Sequence, residues 1–238
     1  MRKTSALGLS SYATAVVAAC SSAPPPPAAP LPTLPKEEAA EPELAVEAEI
    51  GALSDEAVER TFRRVSRKLG DCFAAGAGRI PYLAGDVRLA LRIKKDGSPR
   101  WAYVKASTLG DRETEECMIQ VVMRTDWPKP KGGEGLAESS FTFEPLDDAR
   151  PATAWLADKG SKVLQNAHWD LDQCRKQTGA GKLTATVYVD PAGKPVSVGI
   201  ATADEKSDGA IACVVERLKR AVFPIPGTLP AKVTLDLP

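Results

Sequence analysis

The residues of this 238-residue chain best placed to do chemistry are its five cysteines, Cys20, Cys72, Cys117, Cys174 and Cys213. Thiols can pair, hold a metal or act as nucleophiles, and their spacing and company decide which. No two of them stand as Cys-x-x-Cys, and His168 is the only histidine, so a zinc set is not indicated. Neither a serine nor a cysteine is spaced to serve as a nucleophile with His168 as its base and Asp170 as the orienting carboxylate. Gly76, Gly78 and Gly85 lack the strand, loop and helix order of a phosphate cradle. The expectation is a non-enzyme with no catalytic, metal-binding or cofactor residue, whose cysteines are structural.

The elements that must position these cysteines occur twice. Cys117 opens "CMIQVVMRTDWPKP" and Cys213 opens "CVVERLKRAVFPIP". The same step of 96 positions takes Gly85 to Gly181, Gly97 to Gly193, Pro99 to Pro195, Trp127 to Phe223, Pro128 to Pro224 and Pro130 to Pro226. Cys72 meets Cys174 at a step of 102. A tandem duplication is the expectation. In the first copy, Val58, Phe62, Val65, Leu69 and Phe73 form a helical stripe from an N-cap at Ser54 to about Cys72. Val87, Leu89, Leu91 and Ile93 then alternate with polar residues as a half-buried strand, and Asp96-Gly97 turns the chain into a second one. A second helix begins near Asp111 (Ser207 in the second copy), and the aromatic and two prolines end it. "SSFTFEP" and "AKVTLDLP" supply a last strand each. The predicted fold class is α+β: two α-β-β-α-β modules, 51–147 and a degenerate 151–238, each a small antiparallel sheet packed by two helices.

The first 19 residues read as an export signal, with Arg2 and Lys3 before a mildly apolar stretch. Val17-Ala18-Ala19-Cys20 resembles the bacterial lipobox, which implies lipid attachment at Cys20 rather than an ordinary signal peptide that would leave this thiol free. Ser21 after it favours the outer membrane by the same resemblance. Residues 20–50, rich in proline, alanine and glutamate, read as a solvated, extended tether. Export exposes the remaining four cysteines to an oxidising compartment. Of their three possible pairings, Cys72–Cys117 with Cys174–Cys213 is the one that repeats with the duplication.

The frame formed by a helix ending in Cys, a Gly-led strand, Asp-Gly, a second strand, Cys in the next helix and aromatic-Pro-x-Pro resembles the TonB C-terminal-like domains. More narrowly it is similar to their AgmX/PglI-type variety, found in envelope proteins of gliding bacteria. "KKDGSPRWAYVKASTLGDRETEECMIQVVMRTDWPKP" carries the resemblance best. It implies a periplasmic module that engages other envelope proteins, in the TonB case by adding a partner peptide to a sheet edge. A lipid anchor in place of an inner-membrane helix argues against energy transduction and leaves a tethered adaptor.

Charge narrows the partners. The formal net charge is +0, which argues against a dedicated nucleic-acid binder. Between Arg60 and Lys105, however, twelve basic residues face only Asp71, Asp86 and Asp96. Arg60, Arg63, Arg64 and Arg67 share one helical face, a candidate site for an anionic envelope partner, protein or cell-wall polymer. The alternative function is direct binding of peptidoglycan or a polysaccharide.

Overall fold

The chain is described by a computed structural model covering residues 50–146 and 149–237, the side chains of 167–169 excepted. Ser54 starts the first helix, α1 (Asp55–Arg79), by accepting a hydrogen bond from the Ala57 amide on its hydroxyl, with Asp55 and Glu56 in the first turn. Val58, Phe62, Val65, Leu69 and Phe73 are buried along it. The helix runs past Cys72 to Arg79 because Gly76 and Ala77 continue the buried stripe; a side chain at Gly76 would strike Thr114 and Leu83.

β1 (Gly85–Ile93) follows, with Val87, Leu89, Leu91 and Ile93 facing the core and Arg88 and Arg92 facing away. It pairs antiparallel with β2 (Pro99–Ser107) and with β3 (Gly135–Phe143), giving the strand order β2-β1-β3. Between β2 and β3 lies α2 (Arg112–Met123), whose N-cap Asp111 accepts from the Thr114 amide. The second half repeats this succession with two additions, a short strand at its start and a 3-10 turn before its second helix. β4 (Thr153–Trp155) comes first, then α3 (Asp158–Thr178), β5 (Leu183–Val189) and β6 (Pro195–Thr202). A 3-10 turn at Glu205–Ser207, α4 (Asp208–Lys219) and β7 (Ala231–Leu237) complete it. The second sheet is ordered β4-β7-β5-β6, with β4 parallel to β7 and the rest antiparallel. The protein is thus mixed α+β, with two small sheets and a disulfide in each half.

Those disulfides join Cys72 to Cys117 and Cys174 to Cys213, tying α1 to α2 and α3 to α4. The second helix of each half stops at Met123 or Lys219, short of the aromatic-Pro-x-Pro segment that was expected to end it, and the segment instead holds the hairpin. The Trp127 amide donates to the carbonyl of Gly97 at 3.0 Å, and the Phe223 amide to that of Gly193 at 3.0 Å. Both glycines sit at positive φ, and a side chain on either would collide with the aromatic residue's carbonyl. The corner therefore clamps the β-hairpin turn by its backbone, while the ring fills the core: Trp127 lies edge-on to Phe62, 4.7 Å between centroids, with its indole N–H on the Val122 carbonyl.

Candidate interaction surface

Ala45–Pro238 cluster as one compact unit, and the two halves pack against each other along a polar seam. β2 lies against β6, and the loop from Ser107 to Asp111 covers the face of the second sheet that points away from α3 and α4. The Thr186 hydroxyl donates to the Ser107 carbonyl at 3.1 Å and that of Ser197 to the Gly110 carbonyl at 2.8 Å. The Tyr188 hydroxyl donates to the Ala84 carbonyl at 2.9 Å and accepts from its amide at 3.1 Å. Lys232 donates to the carbonyls of Ala84 and Thr108 and lies over the Tyr188 ring. Burial raises the Tyr188 phenol to about 12 and draws the Lys232 ammonium below its ordinary value. Glu115 reaches across from α2, accepting from Ser107 Oγ at 2.7 Å and from the Ile200 amide at 3.0 Å. That last contact occupies an edge amide of β6.

The corresponding face of the first sheet is charged and largely exposed, apart from Ala90 and Tyr103, which are buried, the Tyr103 hydroxyl donating to the Ala203 carbonyl of the second half. Two carboxylates on β3 and the turn before it each gather two cations. Glu138 pairs with Arg88 at 2.6 Å and with Lys105; Glu134 pairs with Arg92 at 2.5 Å and accepts from Arg100 Nε at 2.8 Å. The Arg100 hydrogen bond, with both guanidiniums, holds Glu134 below the usual carboxylate range. At Glu138 partial burial pushes the other way, and the Lys105 contact and the Arg88 charge outweigh it. Arg92 lies between Trp101 and Leu136 in register, and Leu136 is 48% exposed.

β3 is also the end strand of its sheet. Asp86 directs its amide and carbonyl toward the Thr108 side, so alternation turns Val87, Leu89 and Leu91 toward β3. The backbone groups of Leu136, Glu138, Ser140 and Thr142 therefore point outward from the sheet. Among the described residues only Gly51 uses this edge, through the carbonyl of Glu134 just before the strand. Of the other end strands, β2 and β6 lie against each other at the seam, and the second sheet ends in the three-residue β4, too short to offer a comparable row.

Arg60, Arg63, Arg64 and Arg67 are all exposed on one side of α1, as their spacing predicts. Glu56 and Glu59, one turn earlier, pair with Arg60 and Arg63, and Arg64 donates to the Asp126 carbonyl beside an open groove lined by Thr61, Trp127 and Pro128. The excess of twelve cations over three carboxylates counted along the chain is thus reduced in space by Glu56, Glu59, Glu134 and Glu138. Arg67 and Lys68 have no carboxylate partner among the described residues. Cys20 and the signal segment lie outside the described residues, as does the His168 side chain. Sequence reasoning missed the ladder on the first sheet and the buried Glu115. Arg88 and Arg92 were visible as the polar side of a strand, but their partners stand more than forty residues away.

Among the described residues no helix is long and apolar enough to cross a membrane, and no group of His, Cys, Asp and Glu is gathered as a metal site. No protein-family model, no curated protein and no solved structure matches the chain.

Proposed function

We propose that the chain is a lipid-anchored envelope protein that binds another envelope protein and does no chemistry on it. The observation that carries this reading is the edge of β3, a row of backbone donors and acceptors left unpaired among the described residues, on a disulfide-braced sheet and flanked by Leu136 and the Glu134/Glu138 ladder. Such an edge takes up an extended peptide through main-chain hydrogen bonds, with neighbouring side chains supplying specificity. The TonB C-terminal-like resemblance points to the same mode. The tandem duplication proposed from the step of 96 is supported by the element order, the two disulfides and the two aromatic clamps on Gly97 and Gly193. Attachment at Cys20 would leave the folded part on a tether of about 30 residues, long enough to reach roughly 90 Å if extended as polyproline II.

The test is in-cell crosslinking of the envelope, recovery of the lipoprotein and identification of what accompanies it, with Ser140→Pro in parallel. Proline at 140 removes one outward amide and leaves the β1 pairing intact. One dominant protein captured by the native chain and lost with Ser140→Pro, while the variant still unfolds in one cooperative transition, is the expected outcome. Capture unaffected by the proline would exclude the edge. A second reading rests on the exposed Arg64, Arg67 and Lys68: binding of an anionic wall polymer. Sedimentation of the purified protein with wall sacculi, without other proteins, would select that reading.

A further inference from the structure

Glu115 is 0% exposed and sits where α2 meets β6, with its two oxygens taken by Ser107 Oγ and the Ile200 amide. No cation is paired with it among the described residues. Arg112, one turn earlier, directs its guanidinium to Asp208 of α4 at 3.7 Å and Glu116 at 4.0 Å. Asp111, the other charge nearby, is held by Arg79 of α1 at 2.7 Å. β2 contributes only the neutral Ser107, and β5 approaches with the neutral Thr186. From β6, Gly199 comes so close that a side chain there would run into the carboxyl and lie 2.8 Å from Gly110 Cα. A carboxyl so enclosed has two hydrogen-bond donors and, among the described residues, no cation within ion-pair distance, so its charged form is poorly accommodated whenever the seam is shut.

We propose that Glu115 is a proton-operated latch on the seam: protonated, it lets the two halves close, and ionised, it drives them to loosen. Burial is the largest influence on this carboxyl and Asp111 adds to it; the Ser107 and Ile200 hydrogen bonds and the Arg112 charge oppose them, and the result is a rise from 4.5 to about 7. The sign follows from linkage. The closed form binds its proton more tightly than the open form, so the seam is firmest below about pH 4.5, weakens as pH rises toward 7 and is at its loosest above that. With these two values the opening equilibrium grows about 70-fold between pH 5 and pH 8. Opening releases the Ile200 amide, uncovers Thr186 and Tyr188 and frees the edges of β2 and β6, so an alkaline shift multiplies the strand edges on offer. This device is independent of whether β3 binds a partner.

Backbone hydrogen exchange on the full-length protein tests it, with rates corrected for the intrinsic effect of pH. Protection at Ile200 should fall by about 70-fold from pH 5 to pH 8, while Leu89 in the centre of the first sheet keeps its protection. Glu115→Gln, a neutral group of the same shape, should abolish this dependence. Ile200 protection that does not vary with pH in the native protein, or varies equally in Glu115→Gln, would overturn the proposal. Should the variant fail to fold, the side-chain carbonyl carbon of Glu115 can be titrated by NMR in the native protein. A midpoint near 7 supports the latch; one near 4.5 sinks it.

Discussion

The two halves share an order of elements and differ in what they do with the outer face of the sheet. In the first, Arg88, Arg92, Trp101, Leu136 and Glu138 face outward, and β3 ends the sheet without a partner among the described residues. In the second, the matching surface carries Thr186, Tyr188, Ser197 and Gly199, small or hydroxyl-bearing groups that meet the first half's Ser107–Asp111 loop. Inner faces differ far less: Leu89 and Leu91 in one, Ala185 and Val187 in the other, are all buried against their helices. Core packing restricts the inward residues to apolar groups of suitable size, whereas the outward set is free to become a ladder of charges or a docking plane. One half offers a surface and the other is spent holding it.

The largest effect that probes this comparison comes from the disulfides. Replacing Cys72 and Cys117 together by alanine opens a loop of 45 residues, and replacing Cys174 and Cys213 opens one of 39, each worth about 4 kcal/mol in the chain-entropy account. If the halves stand on one another, denaturant unfolding should remain a single transition in both variants, with the midpoint lowered. Two separated transitions would show that the seam contributes little. Next in size is Gly199→Ala. Its methyl meets Gly110 and Glu115, so it should cost about 1–3 kcal/mol by thermal or chemical unfolding, although alanine ordinarily suits a strand better than glycine does. The matching change in the first half, Tyr103→Ala, removes a different contact and so is no control; Gly132→Ala, with open space around it but a positive φ, isolates backbone strain from crowding.

Smallest is Glu134→Gln on the open face. Because Arg100 and Arg92 hold this carboxyl below its unfolded value, its contribution is present above about pH 4.5 and is lost as pH falls through the lower folded value. The native and glutamine proteins should therefore differ at neutral pH and converge in acid, when unfolding midpoints are compared between pH 2.5 and pH 7. A constant offset across that range would mean the ladder acts through shape and not charge.

Much of the fold was legible because local chemistry and tertiary structure agree. Ser54 and Asp111 cap the helices their positions suggest, and Asp96-Gly97 makes the turn. The end of α1 lies beyond the expected Cys72: Gly76 and Gly78 weaken the helical signal there, yet Gly76 is kept small by Thr114 and the helix runs on to Arg79. β4 was missed, since three residues after a proline form a strand only when β7 is there to pair with. The 3-10 turn capped by Asp204 likewise precedes α4 where a simple N-cap at Ser207 was expected. The site was less legible than the fold. Exposure of the four arginines follows from helical spacing, but the pairing of two of them, Arg60 and Arg63, with Glu56 and Glu59 required looking one turn upstream of the patch. Glu115 carries no mark in the sequence: in an amphipathic helix a glutamate is read as solvent-facing, and only the second half makes that position an interior.

Neither disulfide crosses the seam, and this shapes how the molecule bears load. If an anchored N-terminus were pulled against a bound partner, the seam could part without breaking a covalent bond, because residues 144–152 alone join β3 to β4. Inside each half, though, the chain between the paired cysteines cannot be drawn out. The loops of 45 and 39 residues hide about 150 Å and about 130 Å of contour at roughly 3.4 Å per residue. Tension would lengthen the protein first between its halves and then by shortened steps: β1 and β2 stay inside the closed loop for as long as the sulfur bridge is oxidised, whereas β3, beyond Cys117, is held by its pairing with β1 and not by the bridge.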